Sequence, residues 1–248
     1  MAAPDLRELS LPEIVSTALR LYGETVLPAV PIALAANLPL LLVSGLSLEP
    51  GVSAPGELAG TLAVILVSAG LAVSAITRVL LGAAAGTPVP AAALPRLTVR
   101  RSLISITLAY AATSFVANAG LLMLVLPGLL LGGLFAATLP AVLMERRATF
   151  SAMGRSIALM RTDLLKAMAG FAFGVLISEL VPLGLLLALQ VATGPSPFSP
   201  LLAVTINGLT LPVALAVHVA LYCSARVTQG TPPEALLAEL KRAAEGEG

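Results

Sequence analysis

Apolar residues in this chain come in long unbroken runs, parted by short polar stretches and without the period-two alternation of strands. A hydrocarbon core about 30 Å thick takes roughly 20 apolar residues in a helix. Runs of that kind cover Thr25–Ser44, Glu57–Ala84, Leu103–Val125, Pro127–Met144, Leu164–Gln190 and Pro200–Cys223. Membrane barrels are written in alternating segments of about ten residues, so these continuous runs predict helices instead. The fourth run is the shortest. It is parted from the third only by Val125-Leu126-Pro127-Gly128, whose proline and glycine signal a turn.

Composition agrees with the pattern. Of 248 residues, 58% are hydrophobic and 11% charged, against 45–50% and about 25% in soluble domains. A water-soluble enzyme, a disordered chain and a nucleic-acid binder are excluded, the last for want of a basic face. The predicted fold is all-α: a polytopic membrane helical bundle of six transmembrane helices, forming a single integral membrane domain over 1–248.

Charge then orients the threading. Arg7 and Arg20 precede the first span, and Arg78, Arg96, Arg100 and Arg101 fall around the second-to-third connection. Arg146, Arg147, Arg155, Arg161 and Lys166 lie between spans four and five, and Arg226, Lys241 and Arg242 follow span six. The alternate connections, near Leu46–Gly56, around Pro127 and at Val191–Ser199, carry no Lys or Arg. By the positive-inside rule both termini are expected in the cytoplasm. The first twenty residues carry Asp5, Glu8 and Glu13 and lack the marks of a signal peptide, so the N-terminus is expected to be retained. Cys223, the single cysteine, reads as a small apolar filler or, alternatively, an acylation site.

The chain also reads as a threefold repeat. Ser10-Leu11-Pro12-Glu13, Gly86-Thr87-Pro88, Arg147-Ala148-Thr149-Phe150 and Gly230-Thr231-Pro232 stand at matching places as helix-start signals. Ser10 with Glu13, and Thr231 with Glu234, have the spacing of a capping box. The units are expected at 1–85, 86–147 and 148–229, with a cytoplasmic tail at 230–248. Each would be an interfacial helix followed by a membrane hairpin. Leu11, Ile14, Val15, Ala18 and Tyr22 make one apolar stripe, and Phe150, Met153, Ile157 and Met160 another, with basic residues off the stripe. Such helices lie flat among headgroups or pack on the end of the bundle.

Pro127-Gly128 before an apolar run, then Pro140, Glu145, Ala152, Arg155-Ser156 and Leu159, resembles the membrane domain associated with bacterial glycerophosphoryl diester phosphodiesterases and its uncharacterised stand-alone relatives. The similarity is clearest over Val125–Phe173. It departs from the pattern at Thr162-Asp163, where such proteins often carry a glycine. The resemblance implies an all-helical membrane domain of the bacterial inner membrane. It implies no active site, because the membrane part of those enzymes has no catalytic residues to transfer, and the 25 residues after Cys223 are expected to be too few for their catalytic barrel.

An ionisable side chain in hydrocarbon is costly and by default points to function. Glu179 is the acid well inside a span, and Pro182 leaves the Ser178 carbonyl without its helical donor. Asn37, Asn118 and Glu179 stand 27, 31 and 30 residues after Ser10, Thr87 and Thr149, so they share a depth and could converge on one axis. Asn207 is a fourth candidate. This polar set reads as interhelical hydrogen-bond glue, a ligand or ion site, or a proton relay. His218 reads as a satisfied buried imidazole, or else a switch or metal ligand. Arg78 reads as a snorkelling side chain, or as one partner of a buried ion pair.

One His and one Cys make no metal set, and no nucleophile–base pair or phosphate-cradling glycine loop is present. No catalytic residue, metal or cofactor is therefore expected. The leading expectation is a non-enzymatic inner-membrane scaffold or lipid- or small-solute-binding module, coupled to a cytoplasmic or membrane protein partner. The alternative is a transporter or channel with a midplane polar site around Glu179. Anionic lipid headgroups at the cytoplasmic face would meet Arg20, Arg96, Arg100, Arg101, Arg146, Arg147, Arg155 and Arg161.

Overall fold

The computed structural model describes residues 6–46, 55–89, 102–194 and 199–245. Among them every regular element is a helix. Six segments are long and apolar enough to cross a membrane: Leu11–Pro39, Gly60–Ala84, Leu103–Met123, Val125–Met144, Thr149–Ala192 and Ser199–Thr228. Each overlaps one of the six expected runs, so the chain is an all-helical, multi-pass membrane protein.

The helices are α1 (Leu11–Leu46), α2 (Pro55–Ala84), α3 (Ser102–Met123), α4 (Val125–Phe135), α5 (Thr138–Met144) and α6 (Thr149–Met160). They continue as α7 (Leu164–Val175), a π turn (Leu176–Leu180), α8 (Val181–Thr193), α9 (Ser199–Thr228) and α10 (Pro233–Glu245). Packing follows chain order around a ring. Helix α1 lies on α2, α2 on α3, α3 on α4, α4 on α7 and α7 on α9, and α9 closes the ring against α1. The tightest packing is at the end where α9 finishes, around the fully buried Tyr222, Ile76, Leu80, Leu236 and Leu240. The opposite end is splayed, with Leu122, Met123 and Val191 almost wholly exposed. Those are side chains that hydrocarbon would solvate.

Local chemistry explains the helix ends and revises several expectations. The Glu13 carboxylate accepts the Ser10 N–H at 2.8 Å and the Ser10 hydroxyl at 2.6 Å, the expected acid-to-cap half of a capping box. Helix α1 then runs 36 residues without a break, about 54 Å at 1.5 Å per residue. The first apolar stripe is thus not a separate flat helix; Ile14 and Ala18 are fully buried in the bundle. Both Gly-Thr-Pro signals end helices before they start any. Gly86 (φ 70) and Gly230 (φ 85) sit in the left-handed conformation. Around them Thr87 N–H bonds Gly82 C=O and Thr231 N–H bonds Arg226 C=O, the Schellman pattern. Helix α10 begins at Pro233, so Thr231 stands too early to cap it and instead accepts from Arg226 Nε at 3.2 Å.

The turn between spans three and four also moves. It is the single extended residue Leu124 (φ −160, ψ 139), and Pro127 falls in the first turn of α4, where a missing N–H breaks no helical bond. Gly128 follows there because a Cβ on it would lie 2.4 Å from the Leu121 nitrogen. In span five the Val181 N–H reaches back to Leu176 C=O. This widened turn admits Pro182, whose ring would clash in a regular helix. Asp163 caps α7 by accepting the Lys166 N–H at 3.2 Å. The expected tail is a docked helix, its apolar face on α2. Arg78 is buried and donates to the Ala243 carbonyl at 2.8 Å, in the last turn of α10.

Candidate functional site

Among the described residues, two neighbouring cavities share a border within the ring. The larger, about 110 Å³, lies between α3, α4, α7, the π turn and α9. At roughly 10–15 Å³ per water by this measure, it holds several waters or one small ligand. Asn118 and Glu179 both line it and are exposed on the surface of the bundle, so they stand at its mouth. His218 also lines it, with Nδ1 buried and, among the described residues, without a hydrogen-bond partner. The imidazole stacks on Phe171, centroids 6.3 Å apart and rings 9° from parallel. The expected satisfied imidazole thus has a ring partner in Phe171 but an unsatisfied Nδ1. Phe171 in turn lies over Gly132, where a Cβ would come within 2.0 Å of its ring.

The smaller cavity, about 70 Å³, is lined by Asn37 and Asn207 together with α2. Asn37 Nδ2 donates to Asn207 Oδ1 at 3.2 Å and to Ala33 C=O at 2.7 Å. Tyr110 and Leu211 border both cavities. The four polar residues therefore fall into two pairs, Asn118 with Glu179 and Asn37 with Asn207, and do not meet on one axis. Equal depth put them at the same height, but Tyr110 and Leu211 stand between them.

A second polar cluster escaped sequence reasoning. Glu145, just past α5, accepts from Arg147 Nε at 2.7 Å, Arg155 Nε at 3.0 Å, Tyr222 Oη at 3.1 Å and Arg226 Nη1 at 3.3 Å. Arg226 also holds Glu239 of α10 at 2.9 Å. Burial by itself would raise the Glu145 carboxyl, but the bonds from Arg155, Arg147 and Tyr222 and the Arg155 charge outweigh it and hold it below the usual range. The available signal was Tyr222 and Arg226, one helical turn apart at the end of span six.

The surface arginines divide accordingly. Arg147 and Arg155, expected to meet lipid, are engaged by Glu145. Arg20 is exposed beside Glu24 at 3.6 Å. Arg146, in the left-handed region at φ 53, and Arg161 are exposed. Arg96, Arg100 and Arg101 lie outside the described residues. Helix α6 buries Thr149, Ala152, Ser156, Leu159 and Met160, so of the expected stripe Met160 is buried while Phe150 and Ile157 are exposed. Cys223 is buried. Among the described residues no group of three or more His, Cys, Asp or Glu could hold a metal. No family model, curated protein or solved structure matches the chain.

Proposed function

We propose that this chain is a non-enzymatic inner-membrane binding module that holds a small polar solute or a lipid headgroup within its helical ring. One observation carries the reading: Glu179, without an ion pair among the described residues, shares a cavity with Asn118 and the unpartnered Nδ1 of His218. Hydrogen-bond glue would tie such groups to one another, as Asn37 and Asn207 are tied. Mass spectrometry of the gently purified protein tests it: a solute or lipid retained by wild type and lost on Glu179→Gln supports the module, and an empty wild-type protein refutes it.

A second reading, a transporter or channel, draws on the π turn and Pro182, which interrupt the span at Glu179. Interrupted helices at mid-depth are typical of carrier sites. Proteoliposome uptake that Glu179→Gln abolishes would favour transport over binding.

The proposed orientation has both termini in the cytoplasm, on the support of the Lys and Arg distribution. The threefold repeat is supported by the paired Schellman endings at Gly86 and Gly230 and by the packing of successive spans. An interfacial role for α6, with anionic headgroups near Arg146 and Arg161, is supported by the exposure of Phe150 and Ile157. Kinship with the phosphodiesterase-associated membrane domain is supported by how its motif residues meet. Arg155 pairs with Glu145, Ser156 Oγ bonds Leu134 C=O at 2.7 Å, and Ala152 and Leu159 are fully buried. The Glu145 cluster joins three helices, and a scaffolding role toward a protein partner would use that end.

A further inference from the structure

The lining of the larger cavity has a one-sided chemistry. It offers a carboxylate, an amide, an imidazole and several hydroxyls and, among the described residues, no Lys or Arg. Thr113 gives its hydroxyl hydrogen to Ala109 C=O at 2.7 Å, so its oxygen is left to accept. The buried Nδ1 of His218 has no partner among the described residues. Glu179 has neither a hydrogen bond nor an ion pair among the described residues. Acids within membrane spans almost always pair with another group; the Tyr110 hydroxyl lines the same cavity and feels the Glu179 charge, but it carries no compensating positive charge. A phosphate or carboxylate would meet Glu179 with no cation to compensate. A neutral alcohol could donate one hydrogen bond but would leave its charge uncompensated. A primary ammonium brings one positive charge and three N–H donors.

We propose that this cavity binds the ammonium group of a small amine or of an aminated lipid headgroup, an inference that rests on the cavity being a ligand site. Glu179 is the counter-ion at the mouth, the Asn118 side-chain oxygen accepts beside it, and the stacked Phe171 and His218 limit the depth available to the alkyl part. Phe115 on α3 and Leu180 beside Glu179 are both exposed, 75% and 55%. The mouth thus lies among side chains suited to lipid, and a headgroup can reach it as readily as a solute.

The test uses the full chain in nanodiscs. Ethanolamine, with ethylene glycol as its neutral analogue, is titrated by calorimetry. In parallel, phosphatidylethanolamine and phosphatidylglycerol are supplied together, and the retained lipid is identified by native mass spectrometry. We expect ethanolamine to bind, or phosphatidylethanolamine to be retained selectively, with at least tenfold preference over the partner probe and at least tenfold loss in Glu179→Gln. Binding of free ethanolamine identifies a soluble amine as the source, and retention of the lipid alone identifies the headgroup. Equal binding of amine and neutral probes, unchanged in Glu179→Gln, overturns the ammonium assignment while the binding module stands. No bound probe of either kind overturns both. If Glu179→Gln loses its fold by gel filtration, Asn118→Leu replaces it, and the amine-versus-neutral comparison in wild type decides without any variant.

Discussion

The side-chain amide of Asn37 donates to the Asn207 side-chain oxygen at 3.2 Å, tying α1 to α9 across 170 positions of sequence. Interhelical bonds of this kind in membranes average about 0.6 kcal/mol and reach about 1.7. Asn37→Ala and Asn207→Ala should each destabilise the protein by about 0.5–1.5 kcal/mol. A double-mutant cycle in denaturant unfolding should return a coupling of about 0.6 kcal/mol. Strict additivity would show that the two amides act independently.

Glu145 should matter more. Its side chain is 13% exposed and that of Arg226 9%, between the exposed pairs that contribute under about 1 kcal/mol and the buried ones whose rupture costs about 3–5. Glu145→Gln is expected to cost about 2 kcal/mol, moderated because Arg226 keeps Glu239. The folded carboxyl sits below its ordinary value of 4.5, so its contribution is full above that pH. It is lost as pH falls through the lower folded value. Wild type and Glu145→Gln should therefore differ most near neutrality and converge in acid. A gap that persists at low pH would mean that shape rather than charge holds the cluster.

The six spans were legible because a run of twenty apolar residues keeps its meaning whatever it packs against. The hinge was less so. Pro127-Gly128 looks like a turn, yet at the start of α4 the proline breaks no helical bond and the glycine serves the approach to Leu121. The stripe from Leu11 to Tyr22 announced an apolar face, but not that α9 would cover it and make α1 one helix. Glu145 stood out as one residue of the family-like motif, but its partners did not, because Tyr222 and Arg226 lie 77 and 81 positions away. The depth of Asn37, Asn118, Glu179 and Asn207 could be counted along each span. Which of them face one another is decided by ring closure, and that places Tyr110 and Leu211 between the pairs.

Two glycines should respond in opposite directions to the same added methyl. At Gly128 a Cβ would stand 2.4 Å from the Leu121 nitrogen, which is backbone and cannot swing aside. Gly128→Ala should cost about 1–3 kcal/mol or more by forcing α3 and α4 apart. Gly154, inside α6, has nothing within 4 Å of that point, and Gly154→Ala should stabilise by about 0.4–1 kcal/mol through helix propensity and a less flexible unfolded chain. Thermal unfolding of the two variants side by side decides, and a shared sign would mean the α3–α4 contact is looser than its geometry.

Helix α10 has 13 residues, a length that is marginal for an isolated helix in water, so tertiary contacts must hold it. Leu236 and Leu240 are fully buried, Glu239 meets Arg226 at 2.9 Å, and Ala243 C=O accepts from Arg78 at 2.8 Å. The apolar contacts should dominate, since Arg226 keeps Glu145 when Glu239 is changed. Leu240→Ala is expected to cost the docked helix about 2–5 kcal/mol, and Glu239→Gln distinctly less. Trypsin reports the difference directly. Lys241 and Arg242 are exposed but sit in an ordered helix, and cleavage there requires local unfolding. Leu240→Ala should raise the cutting rate at these residues by an order of magnitude or more, with Glu239→Gln near wild type. Equal rates in all three proteins would mean that α10 is not held by the bundle, and the closed end of the ring would then be open to the surrounding solution.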